Sequence, residues 1–466
     1  MENIQKKIKS KFSVFFIFLL PISFCLGQAA VAIYFSLVSI FFFYELRNFT
    51  KININSNKLL LILLLLFFLF LIISSLFSEY SLDATKNSIM YIRFLCFFLI
   101  SFIFVNLSFD KFHIIQLRYF IFLFLIILFV VADAYYQYFD NNKLDIFGFK
   151  PKPEHFPRLT GIFKDEPIVG SFLFHIGFTS IIFVITYIDQ SKLENLLKLI
   201  FTNAIIITYL FIIIVSGERT SFIMVLFSFF LISPFILVNK KNLLASIIFF
   251  LAISFFLVTN NTYVKQRYSI FLNEINLQNL NFKKIFKNKE SDFVNKKINR
   301  SFFDSQWGAH YLTSIEMIKE KPLFGVGIRG FRKECSNEKY LKINSLSKDV
   351  RCSSHPHNIY LEIFSETGFV SFFLFISFLI FFFIKCVKII IISNKKKIKY
   401  IFEYNIFLSL IAICIAVFFP IKATGSFFSN FYGSLIWYNL TFLFVYLLYF
   451  QNIFFKKNKL KSISRG

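Results

Sequence analysis

Uncharged apolar runs, broken by short Lys-rich stretches, recur along almost the whole chain. Residues 59–78, 167–188, 199–217, 220–239 and 242–264 hold no charged side chain. Each is about the length that crosses roughly 30 Å of hydrocarbon as a helix. The first uncharged run, 12–44, is longer and as one helix would extend about 50 Å. Gly27-Gln28 near its middle therefore predicts a hairpin of two spans. The same pattern places spans at about 59–77, 88–106, 118–138, 167–188 and 199–215, and an eighth ending near Val238. Others follow at about 243–259, 359–384, 403–420 and 431–450. The expectation is an all-α polytopic membrane protein of about twelve transmembrane helices.

The basic residues orient these spans. Lys6, Lys7, Lys9 and Lys11 precede the hairpin and the Arg47–Lys58 segment follows it. Together with Lys240-Lys241, the basic loop from Lys385 to Lys399 and the tail from Lys456 to Arg465, they mark the cytoplasmic side. Both termini then lie inside, and the one large extramembrane segment, 260–357, lies outside. The chain divides into the spans of 1–259, that loop at 260–357, and the last spans with a basic tail at 358–466. Residues 12–26 are followed at once by a second apolar run, so they read as a span and not as a cleaved leader.

Composition agrees. With 57% hydrophobic residues and 74 phenylalanines, the chain is too apolar for a soluble globular protein. The net charge of +25 would point to nucleic acid in a soluble chain. Here the lysines and arginines flank apolar segments, so they read as topology, with membrane lipids and not nucleic acid as neighbours.

Inside the large loop, Trp307, Tyr311, Ile315 and Ile318 fall at helical spacing. Asp304 or Ser305 can cap that helix and Pro322 stops it. Four cysteines lie in or beside spans, where a free thiol is a small apolar group. The other two, Cys335 and Cys352, share the loop, and an outer loop sits in an oxidising compartment. The expectation is a Cys335–Cys352 disulfide, stabilising by about 3 kcal/mol and tethering the chain just before His355.

The candidate chemistry gathers at the outer face: Arg93, Asp133, Arg158, Arg219, Arg267, Arg300, His310, Arg329, Arg332, Arg351, His355 and His357. Arginine grips phosphate with a rigid fork, and a neutral imidazole can take a proton from a hydroxyl. His357 falls at or before the first turn of the 359–384 helix, where the helix dipole disfavours imidazolium; Glu362 or Glu366 would oppose this if close. The plainer reading is that His355 and His357 cap an interfacial helix. His-x-His can also ligate zinc, but no nearby Cys or Asp completes a site once Cys352 is bridged. Arg219 sits in the tight turn Ser216-Gly217-Glu218-Arg219-Thr220, where it either clamps phosphate with the turn backbone, pairs with Glu218, or reaches to the interface. Arg158 and Arg267 carry the same alternatives. His310 lies on the loop helix opposite Trp307 and Ile315, on either a solvated or a functional face.

Several motifs then occur in order: Arg158-Leu-Thr-Gly161, Ser216-Gly-Glu-Arg219, Pro322-Leu-Phe-Gly-Val-Gly327, His355-Pro-His-Asn358 and Glu366-Thr-Gly368. On these the chain resembles the O-antigen ligase and polymerase family of bacterial envelope polysaccharide enzymes. The ligases' His-Asn, nine residues, Gly-x-x-Gly pattern fits His357-Asn358 and Gly368, with Ser371 in place of the last glycine. The resemblance covers about residues 150–420. It implies a GT-C-like fold with one partly helical periplasmic loop in the bacterial inner membrane. It also implies metal-independent, inverting glycosyl transfer without a cofactor. The donor would be a glycan on undecaprenyl pyrophosphate, and the acceptor a hydroxyl of lipid A–core or of another glycan. By position His357 matches the catalytic histidine and Arg219 and Arg267 the pyrophosphate-binding arginines, with Arg158 a third pyrophosphate-binding candidate; His355, His310, Asn358 and Glu366 would support them. Ligase and repeat-unit polymerase share these motifs. A non-enzymatic polysaccharide exporter would instead carry broken helices and polar residues at mid-membrane.

Overall fold

The computed structural model describes residues 15–49, 52, 54–153, 158–164, 166–260, 264–265, 302–395, 400–420 and 422–463. It is helical, with no strand among the described residues. α1 (Phe15–Leu26) and α2 (Gln28–Phe49) break at Gly27, whose φ of 98° only glycine adopts readily. The rings of Phe16 and Phe41 meet at 5.2 Å, so the two helices fold back as a hairpin. There follow α3 (Lys58–Leu76), α4 (Ser81–Ser108), α5 (Phe112–Phe139), α6 (Val169–Gln190) and α7 (Asn195–Val215). After these come α8 (Arg219–Ile232), α9 (Lys240–Asn260), α10 (Gln306–Glu320), α11 (Ile359–Lys395), α12 (Ile401–Val417) and α13 (Phe431–Ile463). Seven described stretches are long and apolar enough to cross a membrane, one of them taking in both α4 and α5; α1, α8 and α12 are shorter apolar helices.

Lipid offers no hydrophobic drive for apolar helices to associate, so packing and interhelical hydrogen bonds must hold them. The phenylalanines supply the packing. α11 lies on α3, α13 on α4, and α12 against α6 and α8. Trp437 is fully buried at the centre, its ring 6.3 Å from Phe94 and nearly parallel to it. Its Nε1–H donates to the Tyr91 hydroxyl at 2.9 Å, which donates to the Phe427 carbonyl at 2.8 Å.

Tertiary contacts set details that the linear pattern misplaces. The eighth helix stops at Ile232 instead of running to Val238. Pro234 has no N–H for the ladder, and Asn405 on α12 takes the loosened backbone, accepting from Leu237 N at 2.9 Å and donating to its carbonyl at 3.3 Å. α6 contains a π turn over Leu173–Gly177. α11 is longer than the expected 359–384 and is broken at Gly368 (φ 76°, ψ −179°).

α10 is capped by Ser305, whose Oγ accepts from Gly308 N at 3.1 Å. Its buried face is not the aromatic stripe. Gly308, Ala309, His310, Thr313, Ser314 and Met317 are buried, while Trp307, Tyr311, Ile315 and Ile318 are half-covered. Small side chains let α10 lie close to α11 and to its own entry turn; a Cβ on Gly308 would stand 2.3 Å from the Phe302 carbonyl oxygen. Cys335 and Cys352 are disulfide-bonded with Cα atoms 5.3 Å apart.

Candidate active site

Two of the motifs form one joint. The segment 322–327 lies along the break in α11: Val326 N–H donates to Ser365 O at 2.9 Å, Gly327 N–H to Glu366 O at 2.8 Å, and Phe369 N–H to Pro322 O at 2.8 Å. Gly325 and Gly368 face backbone so closely that any side chain on either would collide with it. The buried Glu366 carboxylate accepts from Arg329 N at 2.7 Å and Phe331 N at 3.2 Å. One turn earlier, buried Glu362 accepts from Ser426 Oγ and from Phe427 N, the latter at 2.7 Å. The two carboxylates thus pin one loop each, and neither is among the charges that act on His357.

Asn358 caps α11. Its Oδ1 accepts from Tyr360 N at 3.0 Å and Leu361 N at 3.1 Å, and its Nδ2–H donates to Pro420 O at 2.7 Å. His357, just before that cap, has φ of 60°, an uncommon conformation for a non-glycine residue. That turn aims its ring into a cluster. The His355 ring is 4.1 Å away, the Trp307 ring 4.5 Å and edge-on, and the His310 ring 5.2 Å and stacked. His310 is therefore neither solvated nor opposite Trp307; it is 1% exposed. His310 Nε2–H donates to Val350 O at 3.1 Å. His355 Nε2–H donates to Thr424 O at 2.9 Å, and its Nδ1 accepts from Ser354 Oγ at 2.8 Å. His357 Nε2 faces the Ser353 hydroxyl at 3.0 Å, and His357 O accepts from Thr424 N at 2.8 Å. His357 is half-buried, whereas His310 and His355 are buried.

Burial is the main reason these rings stay neutral. It pushes His357 down to about 3, helped by His355 and His310 and opposed by the Thr424 carbonyl. His355 falls to about 4 through burial, opposed by Thr424 and helped by the Arg332 charge. His310 is lowered by burial, against the pull of the Val350 carbonyl. Among the described residues no three His, Cys, Asp or Glu converge as metal ligands.

Arg219 opens α8 and is half-buried. Its neighbour Glu218 bonds mainly to α6: the carboxylate accepts from Gly170 N at 2.6 Å, and from Ser171 N at 2.9 Å and Ser171 Oγ at 2.6 Å. An anion there suits the first turn of a helix. Burial raises the Glu218 carboxyl, against the Ser171 bonds and the positive charge of Arg158. So the Arg158 motif and the Arg219 turn share one end of the bundle. Gln137 of α5 holds the former, its Oε1 accepting from Thr160 N at 2.8 Å and Gly161 N at 2.9 Å. Arg267 and Arg300 lie outside the described residues.

The loop between α12 and α13 spans from the histidines to α8. Thr424 grips His355 and His357, while Lys422 Nζ–H points at Met224 Sδ on α8 at 2.7 Å. Lys422, Thr424, Ser353 and Gln137 carry no signal in the sequence beyond residue type, because their partners are distant along the chain.

A family model described as O-antigen ligase matches residues 204–376, a stretch that includes Arg219, His310, His357 and Glu366. No curated protein matches the chain. The family match supports the resemblance to O-antigen ligases and polymerases carried by the motifs.

Proposed function

We propose that this chain is a glycosyltransferase of the O-antigen ligase type. It would move polysaccharide from undecaprenyl pyrophosphate to a hydroxyl of lipid A–core at the periplasmic face of the bacterial inner membrane. In this reading about twelve helices cross the bilayer, both termini are cytoplasmic, and the segment 260–357 is periplasmic.

The observation that carries the reading is the neutral, partly exposed His357 ring, locked between two buried histidines and Trp307 with Nε2 against a hydroxyl. Ser353 Oγ stands where an acceptor hydroxyl would stand. His357 takes the acceptor's proton as its oxygen bonds the anomeric carbon from the face opposite the leaving group. The bond from that carbon to the phosphate oxygen breaks, and the electron pair leaves with the diphosphate. Arg219 and Arg158, joined by Arg267, stabilise that charge, an effect worth several kcal/mol in a water-poor site, without a metal. A ring so weakly basic is a poor base alone. The negative diphosphate beside it raises its proton affinity as the substrate binds.

A strain deleted for this gene, with its envelope glycans resolved on a gel, tests the reading. Loss of polymer from lipid A with carrier-linked polymer accumulating means ligase. A core bearing a single repeat unit means the related repeat-unit polymerase. Unchanged glycans overturn both.

A further inference from the structure

Two hydrogen-bond donors, half-buried Lys422 and fully buried His175, lack an oxygen acceptor among the described residues. The first is Lys422. Its partner is a thioether, a weak acceptor, and no carboxylate among the described residues forms an ion pair with it. Burial pushes its pKa down to about 7. The second is His175, fully buried in the π turn of α6. The Asn439 amide N–H donates to its Nδ1 at 3.0 Å, which leaves the ring proton on Nε2, and Nε2 has no partner. A buried orphan donor is costly unless something arrives to satisfy it, and π turns often mark functional sites.

Lys422 is the charged group that acts on the His175 ring. They share a depth as well. His175 lies six residues into α6, and Met224, the contact of Lys422, five residues into α8. At 1.5 Å per residue both sit about 7–9 Å below their helix starts, and Glu218 ties those starts together. Packing links the two donors to the proposed active site. Tyr432 packs edge-on against His175 at 5.5 Å, and Gly425 presses on the Tyr432 ring, where a Cβ would come within 2.7 Å. The next residue back is Thr424, which holds His355 and His357.

We propose that Lys422 Nζ and His175 Nε2–H seat the diphosphate of the lipid-linked donor on the membrane side of His357. The inference rests on the glycosyl-transfer reading and adds a substrate-binding pair outside the family-matched stretch, which ends at residue 376. The order of groups fits: the sugar lies outermost at His357, the diphosphate below it, and the prenyl chain continues into the bilayer. An anion there supplies the acceptors that both donors lack. Lysine is a compact point charge that binds phosphate without demanding a fixed fork geometry.

The test uses the full chain purified in detergent. Binding of a polyprenyl pyrophosphate is compared with binding of the polyprenyl alcohol of the same length. Lys422→Met should weaken pyrophosphate binding about 10-fold or more. It should leave alcohol binding unchanged and not lower the Tm of the unliganded protein, because it removes a half-buried charge with no carboxylate partner among the described residues. His175→Asn keeps a polar atom facing Asn439 and deletes Nε2; it should weaken pyrophosphate binding in the same direction, and it carries the test if the lysine variant does not fold. Wild-type affinity in the folded variants overturns the inference while leaving the transfer reading intact. Failure of the wild type to prefer pyrophosphate over alcohol overturns both.

Discussion

Replacing Gly368 with alanine puts a methyl group into backbone. At φ 76° and ψ −179° the residue sits in a region essentially confined to glycine, where another residue costs about 1–3 kcal/mol. The new Cβ would stand 2.1 Å from Leu323 O and 2.6 Å from Phe324 N, so the segment 322–327 has to leave α11. Its three backbone hydrogen bonds to the break, at 2.8–2.9 Å, go with it, adding about 1 kcal/mol each. The total is about 4–6 kcal/mol, a large part of the ~5–15 kcal/mol that holds a typical protein folded. Gly148→Ala is the control: its φ is 82° but nothing lies within 4 Å, so only backbone strain of about 1–2 kcal/mol applies. Thermal unfolding of the two variants in the same detergent separates collision from strain. Gly368→Ala should lose far more Tm than Gly148→Ala, and glycan transfer with it, because Glu366 holds Arg329 and Phe331 at the same joint. Equal Tm for the two variants would refute the idea that the joint is a rigid backbone contact.

Other expectations follow from the same geometry. His357→Ala should cut transfer by about 10²-fold or more with Tm retained, whereas Ser353→Ala, which only clears Nε2, should leave transfer within a few-fold; in vitro transfer with both variants checks this, and full activity in His357→Ala would place the base elsewhere. All three buried or half-buried histidines prefer the neutral form. The stability they contribute is complete above the ordinary value of 6.5 and is lost as pH falls toward the folded values of about 4 for His355 and about 3 for His357. Tm should therefore drop on acidification through that window, and drop less in a His355→Gln/His357→Gln variant. Reducing the Cys335–Cys352 bond, or replacing both residues with serine, should cost about 3 kcal/mol of loop stability; non-reducing mass spectrometry of a digest reports the bridge, and two free thiols would contradict it.

What could be read along the chain was what depends on neighbours in sequence. Apolar runs in an uncharged stretch must be helical if they are to bury their backbone polar groups, so α2, α3, α7 and α13 were legible from length and apolarity alone. Gly27 marked the hairpin because a glycine interrupting an over-long run is a local event. Ser305, Pro322 and the His-Pro-His-Asn spacing were local signals of the same kind. The break of α11 at Gly368 was not, since the backbone of Leu323 and Phe324, far away along the chain, explains why no side chain fits there. The buried face of α10 went to small residues against the aromatic stripe, because close approach to α11 outweighs the apolar count. His310, on either a solvated or a functional face by pattern, became a wall of the candidate site when the fold stacked it on His357. Lys422 and His175 gave no sign at all: one is a lysine in a connecting loop, the other a lone histidine in an apolar run. Sequence determines which segments become helices, since that is settled by residues a few positions apart. Which donors end up buried together without an acceptor is decided by packing between segments up to hundreds of residues apart, and only the tertiary structure records it.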